Sequence, residues 1–155
     1  MTAVNARIMQ EAIARANIRE VAGAKSNPVI VQWIRAMLPR FRGSDATAWC
    51  SAFAFEVCSS AGADIDEDVN VAARSWRKAG RLISLDHAQQ GDIVILSRPG
   101  GASWQGHVGF YCHHDSRRIT LLGGNQNNRV CFRSYPVGRL VQVRRLSALE
   151  CVVAP

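Results

Sequence analysis

Three side chains in this sequence have the types and the spacing that thiol-based acyl transfer requires: Cys50, His107 and Asn125. Nucleophilic catalysis by a cysteine needs thiolate character at the sulfur, an imidazole within hydrogen-bond reach, and a group that orients the imidazole. Cys50 stands where a polar approach, Gly43-Ser44-Asp45-Ala46-Thr47, gives way to Phe53, Ala54, Val57, Cys58 and Ala61 at helical spacing, closed by Gly62. A sulfur in the first turn of such a helix lies near unpaired backbone N–H groups, which is expected to lower its pKa. The same groups could hold the oxyanion of a tetrahedral intermediate. His107–Cys112 and Ile119–Gln126 flank the polar turn His113–Arg118 in a hairpin pattern. With the turn centred near Ser116, His107 faces Asn125, Phe110 faces Leu122 and Val108 faces Gly124. Directly opposed side chains share one sheet face, about 5 Å apart at Cβ. The pairing depends on register, since a one-residue slip sends a side chain to the other face.

Each residue alone has an ordinary explanation. A free cysteine on an apolar helix stripe is usually core, a single His flanked by Gly and Val is usually structural, and Gly-Gly-Asn is a common turn. The order of the three, helix-start Cys, strand-start His, Asn one hairpin arm later, is what points to a site.

The elements that must position them read as helices followed by strands. Ile8, Met9, Ala12, Ile13 and Ala16 fall at helical spacing, with Gly23 as a stop. Ser26-Asn27-Pro28 caps a second amphipathic helix (Val29, Ile30, Trp33, Ile34, Met37, Leu38) that Pro39 ends. The Cys50 helix is the third, and a short fourth is expected over Val71–Gly80. Beyond Gly91 the period becomes that of strands, at Asp92–Leu96, His107–Cys112, Ile119–Leu122, Val130–Arg133 and Leu140–Leu146. Helices first and a strand meander after predict α+β, a single domain over 1–155 with the helices packed on a five-stranded antiparallel sheet.

The composition, 48% hydrophobic and 20% charged, fits a globular chain, and 155 residues fit one core. The net charge of +7 favours approach to polyanions, nucleic acid or an anionic envelope among them. No apolar run is long enough to span a bilayer, so no stable membrane insertion is expected. Met1–Gln10 lacks the features of a secretory signal, so synthesis in the cytoplasm is expected, with action elsewhere requiring release or delivery. The five cysteines (Cys50, Cys58, Cys112, Cys131, Cys151) are odd in number and form no CxxC pair, which argues against a disulfide framework or zinc ribbon. Cys112-His113-His114-Asp115 matches no standard metal-ligand spacing, and neither a metal nor a cofactor is expected.

Four strings resemble the NlpC/P60 and CHAP cysteine peptidases: Ala48-Trp49-Cys50-Ser51-Ala52-Phe53, Gly91-Asp92-Ile93-Val94, Gly106-His107-Val108-Gly109-Phe110-Tyr111 and Gly123-Gly124-Asn125-Gln126. Ala73-Arg74-Ser75-Trp76 and Ser26-Asn27-Pro28 resemble the compact phage- and prophage-associated branch, so the resemblance runs from about Glu20 to Arg145. It implies a papain-like fold and hydrolysis of amide bonds in peptidoglycan, with Cys50 as nucleophile, His107 as base and then acid, and Asn125 as orienter. Trp49 would wall the cleft or sit in the core. Asp45 would hold a cationic substrate amine or cap the helix approach, and Trp104, in the Arg98–Gln105 loop before His107, would shape the substrate groove. The expected partner is peptidoglycan, met by a monomer in the periplasm or cell wall, with an immunity protein or delivery apparatus as further candidates.

Three other functions compete. A thiol acyltransferase or transpeptidase shares the chemistry up to the acyl-enzyme, and only products formed with an amine acceptor separate it. A basic nucleic-acid-binding module would use the charge, yet the arginines are dispersed apart from Arg117-Arg118 and Arg144-Arg145, and no aromatic residues interleave with them. A catalytically dead wall-binding protein would not need an intact Cys–His–Asn set.

Overall fold

The first helix, α1 (Ala3–Ala14), begins where the Thr2 hydroxyl accepts from the Asn5 N–H, and it buries Val4, Ile8, Met9 and Ala12. The second, α2 (Pro28–Met37), starts as its sequence predicts: the Asn27 side chain accepts from the Val29 N–H, and Pro28 occupies the first turn, where its missing N–H costs nothing. The third, α3 (Cys50–Ser60), has no side-chain cap at Trp49, which leaves its first-turn N–H groups without a side-chain acceptor. Residues 1–150 are described in this computed structural model; Cys151 lies outside them.

Six strands follow among the described residues: β1 (Arg81–Ile83), β2 (Ile93–Ser97), β3 (Gly106–His114), β4 (Arg118–Gln126), β5 (Arg129–Pro136) and β6 (Leu140–Arg145). They form one antiparallel sheet in the order β1-β6-β2-β3-β4-β5. The architecture is the expected α+β, with one strand more than the five read from sequence. The extra strand, Arg81-Leu82-Ile83, is a three-residue edge with largely exposed side chains, too short to show a period. The fourth helix is a 3₁₀ segment, Ala73–Lys78, within the expected range.

Alternation along the strands sorts the core onto two faces. Ile93, Ile95, Val108, Phe110 and Leu122 pack with the helices, and Val94, Leu96, Tyr111, Ile119, Leu121 and Val143 form a second cluster. The close approach of α3 to the sheet depends on one missing side chain. A Cβ at Gly124 would lie 2.6 Å from Phe53 Cβ and 2.7 Å from Trp49 Cζ3. Gly124→Ala should therefore push α3 away from β4, costing about 1–3 kcal/mol by overpacking. The check is a lowered thermal midpoint together with loss of activity. An unshifted midpoint would show that α3 does not depend on this contact.

Candidate active site

Cys50 opens α3 and is 7% exposed. Burial pushes its thiol pKa up, against the backbone N–H groups of Val108, Ser51 and Cys50 itself, which pull it down. The helix start thus acts in the expected direction, but burial outweighs it, and the net shift is opposite to the one read from sequence. The start of α3 is fixed from the side. Ser51 Oγ donates to the Asn70 carbonyl at 2.6 Å and accepts from Trp76 Nε1 at 2.9 Å. Arg74 Nε donates to the Gln105 carbonyl at 2.9 Å, pinning the chain as it enters β3. The Ala73-Arg74-Ser75-Trp76 string therefore ties together the two segments that carry Cys50 and His107.

His107 and Cys50 line one cavity of about 640 Å³, with Ala48, Asn125, Tyr135 and Arg139 among its other walls. The hydrogen bond of the imidazole does not run to Asn125. His107 Nε2 is 2.9 Å from Gln126 Oε1. Gln126 is fully buried and its amide orientation is fixed: Nε2 donates to the carbonyls of Cys131 and Leu121, so Oε1 is the acceptor. That oxygen also accepts from the Tyr135 hydroxyl at 2.9 Å. His107 must then donate through Nε2, which leaves Nδ1 as the free lone pair of the ring. Burial lowers the His107 pKa to about 4; the Gln126 bond opposes this, and the charges of Arg139 and Arg133 add to it. The Tyr135 hydroxyl, pushed up to about 12 by burial, stays a donor.

The register explains the exchange of Asn125 for Gln126. Phe110 pairs with Leu122 as expected, but beside the turn the pairs are His114–Ile119 and His113–Thr120, one residue off the expected register, and a shift between Tyr111 and His113 restores it. At the far end of β4 the pairing with β5 slips between Gly123–Cys131 and Gln126–Arg129, and Asn125 takes a φ of 56°. This bulge breaks the alternation. The Gln126 amide comes to lie where a Gly123 Cβ would be, 2.8 Å from Oε1, on the side of His107 and Tyr135. Asn125 remains a wall of the cavity.

The other site expectations fare unequally. Trp49 is fully buried, packs on Trp33 and donates from Nε1 to Glu20 Oε1 at 2.8 Å, so it belongs to the core and not to a cleft wall. Asp45 is buried as well, accepting from the N–H groups of Val21 at 2.9 Å and Asn27 at 2.7 Å; it organises the loop before α2 and is not free to hold a substrate amine. Trp104 is 68% exposed and lines a separate apolar groove with Ile34, Leu38 and Val71, which meets the Cys50 cavity only at Ala48. In the His113–Arg118 turn, His114 Nδ1 pairs with the Tyr111 hydroxyl and Asp115 accepts from the N–H groups of Arg117 and Arg118. Among the described residues no three His, Cys, Asp or Glu side chains converge as metal ligands would. Sequence reading missed Gln126, Tyr135 and the arginines Arg98, Arg133 and Arg139; the Gln beside Asn125 was the one available signal.

No protein-family model matches the chain, and no curated protein matches it. Solved structures do. A protein of the NLP/P60 family from Staphylococcus aureus, described as similar to a lipoprotein, superposes with a TM-score of 0.56 at 20% identity over 91% of this chain. The P60 domain of an antigen from M. avium subspecies paratuberculosis gives 0.52 at 16% identity over 92%. A mutated form of the Resuscitation Promoting Factor Interacting protein RipA gives 0.58 at 13% identity over 92%. The chain spans 41% of the first, 93% of the second and 62% of the third. At these identities the likeness is one of fold, and the fold is the one seen in NlpC/P60 proteins.

Proposed function

We propose that this chain is a cysteine peptidase that hydrolyses amide bonds in the stem peptides of peptidoglycan, with Cys50 as nucleophile, His107 as base and acid, and Gln126 as orienter. The observation that carries the reading is the meeting of Cys50, at the uncapped start of α3, with His107 in one cavity, the imidazole held by a fully buried amide. Nδ1 of His107 takes the thiol proton as the sulfur attacks the carbonyl carbon. The first-turn N–H groups of α3 receive the developing oxyanion. The same Nδ1 then protonates the leaving amine, and water releases the acyl group. Gln126 is neutral, so it fixes tautomer and ring orientation and supplies no counter-charge to an imidazolium. With burial disfavouring both ions, the resting pair is thiol and imidazole, and charge separates only as bond formation proceeds.

No helix of the described residues is long and apolar enough to cross a membrane. We place the substrate in the periplasm or cell wall, with the chain acting as a monomer. Digestion of purified sacculi followed by mass analysis of the fragments tests the reading. New N-termini with intact sugar–peptide links are expected for an endopeptidase acting at the γ-D-glutamyl–diamino acid bond. Free stem peptides would instead make it an amidase of the CHAP type. Intact sacculi after digestion would refute the hydrolase. Products joined to an added amine would favour the transferase.

A further inference from the structure

Among the described residues, the wall of the Cys50 cavity includes three arginines, Arg98, Arg133 and Arg139, and no carboxylate. None of the three forms a salt bridge among the described residues. Two other arginines of the chain are neutralised by carboxylates. Arg145 is buried against Asp92 in a paired contact, at 2.8 Å through Nε and 2.6 Å through Nη2, and Arg15 meets both Glu11 and Glu56. Arg133 and Arg139 are instead held by neutral groups. Arg133 and Arg139 lie over the Tyr135 ring, 5.5 and 4.9 Å from its centre. Arg139 Nε donates to the Ser97 carbonyl at 2.9 Å and Arg133 Nη1 to Asn127 Oδ1 at 3.1 Å. That arrangement positions the cations without neutralising them, and leaves donors on each guanidinium for an anion.

We propose that the cleft selects peptides carrying a free carboxylate beside the scissile amide, and that Arg98, Arg133 and Arg139 are the groups that bind it. This rests on the reading of Cys50 as the nucleophile of a peptidase. A thiol nucleophile attacks an acyl carbon, so the anion that settles beside it belongs to the peptide and not to a phosphate backbone. The same charges reach the catalytic ring, because Arg139 and Arg133 both depress the basicity of His107. A bound carboxylate cancels that field, making His107 a stronger base in the complex than in the free protein. A substrate with the right charge thus improves its own catalyst, whereas an uncharged analogue meets a weaker base.

Two synthetic stem peptides test this, identical except that the γ-glutamyl residue at the scissile bond bears a free α-carboxylate in one and a carboxamide in the other. A charge-assisted hydrogen bond is worth enough to expect a preference of about tenfold or more in kcat/KM for the acid. The preference should shrink in Arg133→Gln and Arg139→Gln and be partly kept in the corresponding Lys variants. Equal cleavage of the two peptides overturns the proposal. If neither peptide is cut, the peptidase reading fails, and the cavity is tested without it by alkylation of Cys50. The rate ratio of iodoacetate, an anion, to neutral iodoacetamide should fall several-fold in an Arg133→Gln/Arg139→Gln double variant shown by circular dichroism to be folded. A ratio unchanged by the double substitution overturns the proposal by that second route.

Discussion

A Cys50→Ala chain is expected to release no peptide from sacculi above background while keeping its fold. The sulfur is the one atom in the cavity able to form the acyl-enzyme, and removing a nucleophile typically costs on the order of 10⁴-fold or more. The fold should survive because the exchange removes a single atom at a site that already opens onto the cavity wall. Circular dichroism and the thermal midpoint report the fold, and mass analysis of the soluble fraction reports the activity. Alkylation gives a second measure. Burial raises the thiol of Cys58 beyond any useful range and that of Cys112 to about 11, with little to oppose it. Cys50 is also raised by burial, but three backbone N–H groups favour its thiolate and it shares its cavity with His107. Iodoacetamide should therefore modify Cys50 well before Cys58 or Cys112. Lysis by folded Cys50→Ala at near wild-type rate would sink the mechanism.

The parts of the molecule that could be read from sequence are those set by local rules. Asn27-Pro28 starts α2 and the apolar stripe from Phe53 to Ala61 marks α3, because caps and periodicity act over a few residues. The pairing of Phe110 with Leu122 agrees with the hairpin reading only because a bulge between Tyr111 and His113 offsets a one-residue difference at the turn. The site was legible up to the point where alternation failed. Asn125 and Gln126 are neighbours, and only the left-handed backbone at Asn125 decides which of them meets His107. Asn tolerates that conformation, but Gly-Gly-Asn-Gln also reads as a regular strand end, and nothing local distinguishes the two. Asp45 and Trp49 sit close to Cys50 in sequence, which left each of them two places, at the cleft or away from it; in the fold, backbone N–H groups from the segment before α2 claim the first and Glu20 claims the second. Arg98, Arg133, Tyr135 and Arg139 come from three separate segments, and their convergence is a property of the sheet order, which the sequence does not display.

Substitutions around His107 should separate the three residues that sequence and structure assign differently. His107→Ala should be nearly inactive. Gln126→Ala should lose about a hundredfold or more in kcat, since an imidazole without its partner adopts the productive tautomer only part of the time. Asn125→Ala should stay within a few-fold of wild type, because its side chain lines the cavity without holding the ring. The reverse order, with Asn125 costly and Gln126 silent, would show that Asn125, and not Gln126, holds the ring. Gln126→Glu adds a readout that packing alone cannot move. In the wild type His107 is held neutral down to about pH 4, so the acid limb of kcat/KM should lie well below the ordinary histidine value of 6.5. A carboxylate at 126 favours the imidazolium and should move that limb upward. Stability carries the same signature with a definite sign. The unfolded chain takes up the His107 proton near pH 6.5 and the folded chain only near 4. Wild-type stability should thus fall as pH drops through 6.5, and this contribution should level off below about 4. In Gln126→Glu the His107 share of that loss should diminish. An acid limb that stays in place in Gln126→Glu would mean that the 126 side chain does not touch the ring in solution, and Gln126 would lose its role as orienter.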